Sequence, residues 1–122
     1  MTASDYSLNL IAVAAAAAED KKAENILAFD VSEQLAITDA FLLASAGNER
    51  LVGAIVDEIE DKLREAGAKP IRREGHREGR WVLLDYGDIV VHVQHDEERE
   101  FYALDRLWRD CPAIALPGAT EE

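Results

Sequence analysis

The sequence contains few of the residues that mark secreted, disordered or nucleic-acid-binding proteins. The single cysteine, Cys111, in 122 residues excludes an internal disulfide and a cysteine-rich metal site. Three prolines and an apolar fraction of 48% indicate a globular chain. Basic residues are scarce, because 13 Lys and Arg stand against 25 Asp and Glu and give a net charge of −12. Such acidity disfavours nucleic acid and anionic membranes and suits a basic protein partner, although it is equally typical of a protein kept soluble by charge.

Long hydrophobic runs are also missing. Leu8–Ala18 is apolar apart from Asn9, which is well short of the ~20 residues that a membrane-spanning helix needs. No lysine or arginine precedes this run, so we expect no secretory signal. We expect a cytoplasmic protein of one domain over residues 1–122, with its core in residues 24–111 and a C-terminal tail in residues 112–122.

The most informative stretch is Arg80–Gln94, which predicts two strands joined by a tight turn. The strands are expected over Trp81–Tyr86 and Ile89–Gln94, with Gly87-Asp88 as the turn. Pairing across this turn places six apolar or aromatic side chains on one face of the sheet: Val82, Leu84, Tyr86, Ile89, Val91 and Val93. The opposite face carries Trp81, Leu83, Asp85, Val90, His92 and Gln94. The first face is predicted to lie on the core, and the second, mixed face is the candidate contact surface.

Three segments show the periodicity of helices. The first is alanine-rich and runs from Leu8 to about Ala23. The second, Glu49–Ala66, follows the candidate cap Asn48 and has an apolar stripe at i, i+4, i+7 and i+11. The third is expected from Asp96 to about Cys111, and its predicted apolar stripe consists of Phe101, Leu104, Leu107, Trp108 and Cys111.

Three further strands complete the predicted sheet: Ile26–Val31, Ala40–Ser45 and Ile71–Glu74. The middle strand is almost continuously apolar, so a central position with two buried faces is expected. The succession of strand 40–45, helix 49–66 and strand 71–74 predicts a β-α-β unit whose strands form a parallel pair. The predicted fold class is α/β (α+β), a mixed five-stranded sheet with helices packed chiefly on one side.

Several polar groups are candidates for chemistry, and a structural role is favoured for each. The junction Ser45–Arg50 has the strand–glycine–helix order of phosphate sites but lacks their glycine spacing. His92 and His95 are three residues apart in a strand, so they project to opposite faces and do not share a metal ion. Asp85 and Asp88 flank a tight turn without an accompanying nucleophile, which favours turn roles over acid–base catalysis. We therefore predict no catalytic residue, no metal, no cofactor and no enzymatic activity.

Four segments occur in one order with compact spacing: Thr38–Ser45, Glu74-Gly75, Trp81–Val93 and Arg99–Trp108. In this order they resemble the ribosomal silencing factor family, also called the RsfS or Iojap family. The resemblance runs from about Ile26 to Cys111, and its most specific part is W-x-L-L-D-x-G-D-hydrophobic-V-V-H followed by F-Y-x-L-x-x-L-W. It implies a fold similar to the core of nucleotidyltransferases, without the catalytic carboxylate motif of those enzymes.

The resemblance implies a repressor of translation. Members of the family bind the large ribosomal subunit through protein fourteen of that subunit, a ribosomal protein at the subunit interface. They thereby block joining of the small subunit, which lowers translation when nutrients are scarce. The implied partner is this basic ribosomal protein, with no sequence-specific nucleic acid and no membrane, and a homodimer of the free protein stays open. Two other hypotheses stay open as well, a nucleotidyltransferase-like enzyme and a self-associating structural module.

The resemblance also implies a contact region, which falls on Trp81, Leu84, Asp85, Asp88, Val90 and His92, with Tyr102 and Trp108 nearby. The hairpin pairing puts Leu84 on the core face and favours its neighbour Leu83 instead. The helical stripe that holds Trp108 is more typical of a core than of a contact. The chain departs from the family pattern at Ala40, where an aromatic residue is expected, at residues 46–50, and at Gln94, where an apolar residue is expected.

Overall fold

The computed structural model places a mixed five-stranded sheet at the centre of the fold, within residues 2–116, the part of the chain that the structure describes. The strands are β1 (Glu24–Asp30), β2 (Ala40–Ala46), β3 (Arg72–Glu74), β4 (Trp81–Asp85) and β5 (Ile89–His95). They lie in the order β1-β2-β5-β4-β3, with β2 and β5 parallel and the other neighbours antiparallel. The predicted fold class is therefore confirmed.

Two long helices cover one face of this sheet. Helix α1 (Asp5–Asp20) is capped by Ser4, whose hydroxyl accepts a hydrogen bond from the backbone N–H of Ser7, so it begins three residues earlier than predicted. Helix α2 (Glu49–Glu65) is capped by Asn48 as predicted. The apolar stripe of α2 is fully or almost fully buried: Val52, Ile55, Val56, Ile59 and Leu63. Alanines of α1 complete this core cluster, because their small side chains let the helix approach the sheet closely.

The central hairpin has the predicted register. Val82 pairs with Val93 and Leu84 pairs with Val91, and the Tyr86 N–H donates to the Ile89 carbonyl at 2.9 Å. The turn requires a positive φ, which Gly87 supplies at 82°. All six side chains of the predicted core face are buried.

The predicted parallel pair of strand 40–45 and strand 71–74 is wrong. Strand β2 pairs with β5 over seven residues, and β3 lies at the sheet edge beside β4. A central strand needs two buried faces, and β5 has them, whereas all three residues of β3 are charged and exposed. The hairpin therefore occupies the position beside β2 that the prediction gave to β3.

The single predicted helix over residues 96–111 is also wrong, because the structure has two short helices there. Helix α3 (Asp96–Tyr102) ends at Ala103, whose φ of 50° lies in the left-handed region, and α4 (Leu104–Leu107) follows. The turn at Ala103 splits the predicted stripe. Phe101 is 79% exposed and Leu107 is 69% exposed, whereas the other three members pack on the second face of the sheet: Leu104, Trp108 and Cys111.

The second face of the sheet carries a smaller core. Phe29, Phe41 and Leu43 form its centre, and Cys111 is buried among them. Burial raises the pKa of the Cys111 thiol, which fits a small core residue better than a reactive one. Both faces of β2 are therefore buried, as its continuous apolar sequence predicts.

Part of the predicted C-terminal tail is tied to the sheet. The Asp30 N–H donates to the Pro112 carbonyl at 2.8 Å, and the Ile114 N–H donates to the Ala28 carbonyl at 2.9 Å. Residues 117–122, the rest of that tail, lie outside the described residues. Within residues 2–116, none of the helices has the length and apolarity that crossing a membrane requires.

Candidate interaction surface

Trp81 begins β4 on the mixed face of the sheet. Its indole N–H donates to Nδ1 of His92 at 3.2 Å, and its ring centroid lies 4.7 Å from that of Tyr102. Trp81 stays partly exposed and Tyr102 is 49% exposed. The two rings are therefore accessible, and a partly buried hydrogen bond holds the indole in one orientation.

His92, which the resemblance includes in the contact region, is largely covered in this structure, so its contact with a partner stays a prediction. Its side chain is 7% exposed and lies between Trp81 and Phe41, whose ring centroid is 5.1 Å away. Desolvation lowers the pKa of His92 to about 4, so the ring is neutral at pH 7. Since Nδ1 accepts from Trp81, the neutral ring carries its proton on Nε2. The hairpin register places His92 on the correct face of the sheet. The alternation of side chains does not predict that Phe41 and Trp81 cover it.

Two more predicted contacts are buried. Leu84 is 0% exposed in the main core, and Val90 is 9% exposed in the smaller one. Leu83, the alternative from hairpin geometry, lies on the mixed face and is half-buried. Trp108 is half-buried as well, with its ring edge-on to Phe41 at 5.1 Å. The core role that periodicity favours for Trp108 fits this position.

The two aspartates lie at the turn end of the hairpin. Asp85 accepts a hydrogen bond from the Gly87 N–H at 2.8 Å, and its other carboxylate oxygen lies 3.5 Å from Arg72. Asp88 is exposed, and its backbone carbonyl accepts from the Asp39 N–H at 2.8 Å. The Asp85 carboxylate therefore supports the turn as predicted, whereas Asp88 contributes its backbone carbonyl and leaves its charge open to solvent.

Phe101 is an exposed aromatic residue that the sequence-based contact region does not include. Its ring packs edge-on to Tyr102 with centroids 5.0 Å apart. The sequence pattern assigns Phe101 to the apolar stripe of one long helix, and this assignment hides its exposed position. We define the aromatic patch as four residues of the mixed face and α3: Trp81, Leu83, Phe101 and Tyr102.

A shallow pocket of about 360 Å³ opens beside Trp81 and Leu83, and Glu74 and Gly75 complete its lining. A Cβ at Gly75 would lie 2.0 Å from the Trp81 carbonyl oxygen. Gly75 also has a φ of 80°, so both space and conformation require glycine there. This glycine permits the close approach that places the pocket against the aromatic patch.

Acidic groups border the aromatic patch on its α3 side. Arg80 contacts Glu49 at 3.0 Å, Glu97 at 2.6 Å and Glu98 at 2.8 Å. These carboxylates hold the pKa of Arg80 above its usual range, with the hydrogen bond to Glu97 as the largest cause. One cation among three acids leaves this border negative.

The structure brings ligand atoms of His95, Glu97 and Glu98 within 4.8 Å of one another. These atoms already have partners, because both glutamates bind Arg80 and Nδ1 of His95 accepts from the Glu97 N–H at 3.1 Å. Their arrangement is that of a capped helix start. The Ser45–Arg50 junction is likewise a capped turn as predicted, since Asn48 accepts from the Leu51 N–H at 2.8 Å.

Comparison with known proteins places these features in a family. Residues 4–122 match the family model described as "Ribosomal silencing factor during starvation". A Bacillus subtilis protein named ribosomal silencing factor RsfS is 44% identical over 108 residues, which cover 88% of this chain and 92% of that protein. A mouse protein named mitochondrial assembly of ribosomal large subunit protein 1 is 26% identical, over 72% of this chain and 40% of its own length. A crystal structure of a Chromobacterium violaceum protein superposes with a TM-score of 0.80 at 34% identity, covering 92% of this chain and 94% of that one.

Proposed function

This chain belongs to the ribosomal silencing factor family, and we propose that it binds the large ribosomal subunit and keeps the small subunit from joining it. The proposed contact is protein fourteen of the large subunit, a basic protein at the subunit interface, and the consequence is reduced translation when nutrients are scarce. The name of the mouse relative, which refers to the large ribosomal subunit, supports the choice of subunit.

The aromatic patch is the observation that carries this proposal. Trp81 and Tyr102 are large, rigid side chains that lie against each other and remain accessible. Aromatic residues of this kind dominate binding energy at protein interfaces. His92 fixes Trp81 before any partner arrives, which reduces the ordering cost of binding. Acidic side chains around the patch suit a basic partner.

A nucleotidyltransferase-like enzyme is the alternative that the fold suggests. The relatives that share this fold are named as silencing factors, and Asp85 is already held by the turn and by Arg72. We therefore propose a protein that is not an enzyme and needs no cofactor. Incubation with each nucleoside triphosphate and Mg²⁺ should leave the nucleotide intact, and turnover that Asp85→Asn abolishes would contradict the proposal.

Self-association of the free protein is a further use of the same patch. Phe101 is 79% exposed, and exposed aromatic clusters commonly mark interaction sites. A dimer formed through this patch would have to dissociate before the ribosomal protein could bind. Sedimentation of the wild type and Phe101→Ser at several concentrations would show whether this dimer forms.

The test of the proposed function is reassociation of purified subunits. Subunits separated at low Mg²⁺ are returned to high Mg²⁺ with increasing amounts of the protein and resolved on a sucrose gradient. We expect the protein to sediment with large but not small subunits, and the peak of joined ribosomes to shrink as its concentration rises. Joined ribosomes at normal yield with saturating protein would overturn the steric mechanism.

A further inference from the structure

Positive charge is concentrated in one segment of this acidic chain. Residues 62–80 contain seven of the 13 Lys and Arg but only three of the 25 Asp and Glu. The segment has a net charge of +4, whereas the remaining residues together have −16. The charge of −12 is therefore unevenly distributed along the sequence, although Arg80 at the end of this segment lies among Glu49, Glu97 and Glu98.

The fold places four of these seven Lys and Arg around a groove of about 520 Å³ between the end of α2 and the edge strand β3. We define this basic groove by four cationic side chains of its lining, Arg64, Lys69, Arg72 and Arg73, together with the imidazole of His76. Glu60 is the acid of the same lining. Ile71 is also part of the lining and is 74% exposed, so the groove is open to a large partner.

Not all of these cations are neutralised. Arg73 forms a bidentate pair with Glu60 at 2.9 and 3.0 Å, and Arg64 lies 2.7 Å from Asp61. Lys69 of the lining and Arg77, which directly follows the lining residue His76 in the chain, form no ion pair with any residue in 2–116. The pairs of Arg64 with Asp61 and of Arg72 with Glu74 are between exposed groups, and such pairs are weak enough to exchange for a stronger anion.

The basic groove and the aromatic patch share the β3 edge of the sheet, with the groove on the α2 side and the patch on the mixed face. Strand β3 pairs with β4 so that Arg72 is opposite Asp85 and Glu74 is opposite Leu83. A ribosomal protein held at the aromatic patch would bring its surroundings on the subunit against the β3 edge. In a ribosomal subunit those surroundings consist largely of RNA.

We infer that the basic groove contacts RNA phosphates of the large subunit next to the bound ribosomal protein. This inference rests on the proposed function, because that function places RNA beside β3. Phosphate contacts position a protein without reading sequence, so the expectation of no sequence-specific nucleic-acid binding is kept. The acidic remainder of the chain repels phosphates, and the two opposite charges together favour one orientation of approach.

The test compares two pairs of charge reversals in large-subunit binding. The groove variant is Lys69→Glu with Arg77→Glu, and the control is Lys21→Glu with Arg50→Glu, which reverses two exposed cations outside the groove. At about 100 mM KCl we expect the groove variant to bind at least ~10-fold more weakly and the control to bind like the wild type. The slope of log Kd against log [KCl] should fall by about one for each lost phosphate contact. Unchanged affinity and slope in the groove variant would overturn the inference.

Binding to the isolated ribosomal protein separates this inference from the proposed function. Without RNA, the groove variant should bind that protein at least as tightly as the wild type, because it is more acidic. Equal loss of affinity for the isolated protein and for the subunit would show that the groove contacts protein, and would overturn the inference while the proposed function stands.

If the wild type binds neither target, the proposed function fails and a labelled 20-nucleotide RNA at low salt decides the inference. Binding of this RNA that the groove variant loses would support the basic groove as a phosphate site. Absence of RNA binding to the wild type would overturn the inference. Equal binding of polyglutamate by the wild type would also overturn it, because it would show attraction to any polyanion.

Discussion

Trp81 and Tyr102 make the proposed surface testable by single substitutions. We expect Trp81→Ala and Tyr102→Ala each to weaken large-subunit binding at least ~10-fold, because truncation of an aromatic anchor commonly costs ~2 kcal/mol or more and ~1.4 kcal/mol is a factor of ten. Tyr6→Ala is the matched control, since Tyr6 is 52% exposed on α1 and Tyr102 is 49% exposed. Co-sedimentation measures affinity, and circular dichroism checks folding. Wild-type affinity in folded Trp81→Ala would mean that the contact lies elsewhere.

His92 predicts an acid-sensitive fold. Burial lowers the pKa of His92 to about 4, whereas an unfolded histidine titrates near 6.5. Between these values the unfolded state binds the extra proton, so this group makes the free energy of unfolding fall as the pH drops from about 6.5 to 4. The loss should reach up to about 3 kcal/mol, since one pKa unit corresponds to ~1.36 kcal/mol.

Urea unfolding at several pH values measures this effect. His92→Phe should remove most of the dependence in that window, whereas His76→Phe should retain it because His76 is exposed. Equal pH profiles for the wild type and His92→Phe would show that His92 is not the group that titrates.

Gln94 is a buried polar residue on the mixed face. It is 0% exposed, and neither amide atom has a hydrogen-bond partner among the described residues. Burying polar atoms without partners costs about 1–3 kcal/mol, and the resemblance leads one to expect an apolar residue there. We expect Gln94→Leu to raise the free energy of unfolding by about 1 kcal/mol or more and the exposed Gln34→Leu to leave it unchanged. A lower melting temperature for Gln94→Leu would mean that the amide has a partner.

The break between α3 and α4 is the element that gives the aromatic patch its shape. Ala103 has a φ of 50°, and the left-handed region costs an alanine roughly 1–2 kcal/mol. Ala103→Gly should therefore stabilise the protein by about 0.5–1 kcal/mol, after the greater freedom of glycine in the unfolded chain is subtracted. The exposed Ala16→Gly in α1 should destabilise it by a similar amount. Thermal unfolding measures both, and the same sign for the two variants would contradict this assignment.

A helix, strand or turn is predicted correctly where the residues of that segment alone show its pattern. The apolar run of β2, the stripe of α2 and the turn at Gly87 each determine a local structure. The pairing of β2 with β5 depends instead on which strand can bury two faces, which no single segment shows. The prediction of one helix over residues 96–111 is wrong because alanine is a helix former, so the sequence has no signal for the left-handed Ala103 after which Leu104 and Trp108 pack on the second face of the sheet.

At the scale of the whole molecule, the charge predicts how the partner is approached. The basic ribosomal protein should associate quickly with this acidic chain at low salt, and the rate should fall as salt shortens the Debye length to ~8 Å at 0.15 M. Asp88→Lys should slow association and weaken this salt dependence with little effect on dissociation. Stopped-flow mixing with the isolated ribosomal protein measures both rates, with Glu19→Lys on α1 as the control of equal charge change. Equal effects of the two variants would indicate net charge alone, without a local role for Asp88.

The sequence by itself determined the hairpin register, the family and the two faces of the central strands, because side-chain period and turn chemistry are local properties. It also placed Trp81, Leu83 and Asp85 on the mixed face, where the structure has them. The tertiary structure alone decided which residues of that face are accessible. His92 and Val90 are covered by aromatic and aliphatic side chains from distant segments, and Phe101 is uncovered because the chain turns at Ala103. It also decided that four of the seven Lys and Arg of residues 62–80 line one groove, since the sheet edge and the end of α2 meet only in the folded chain.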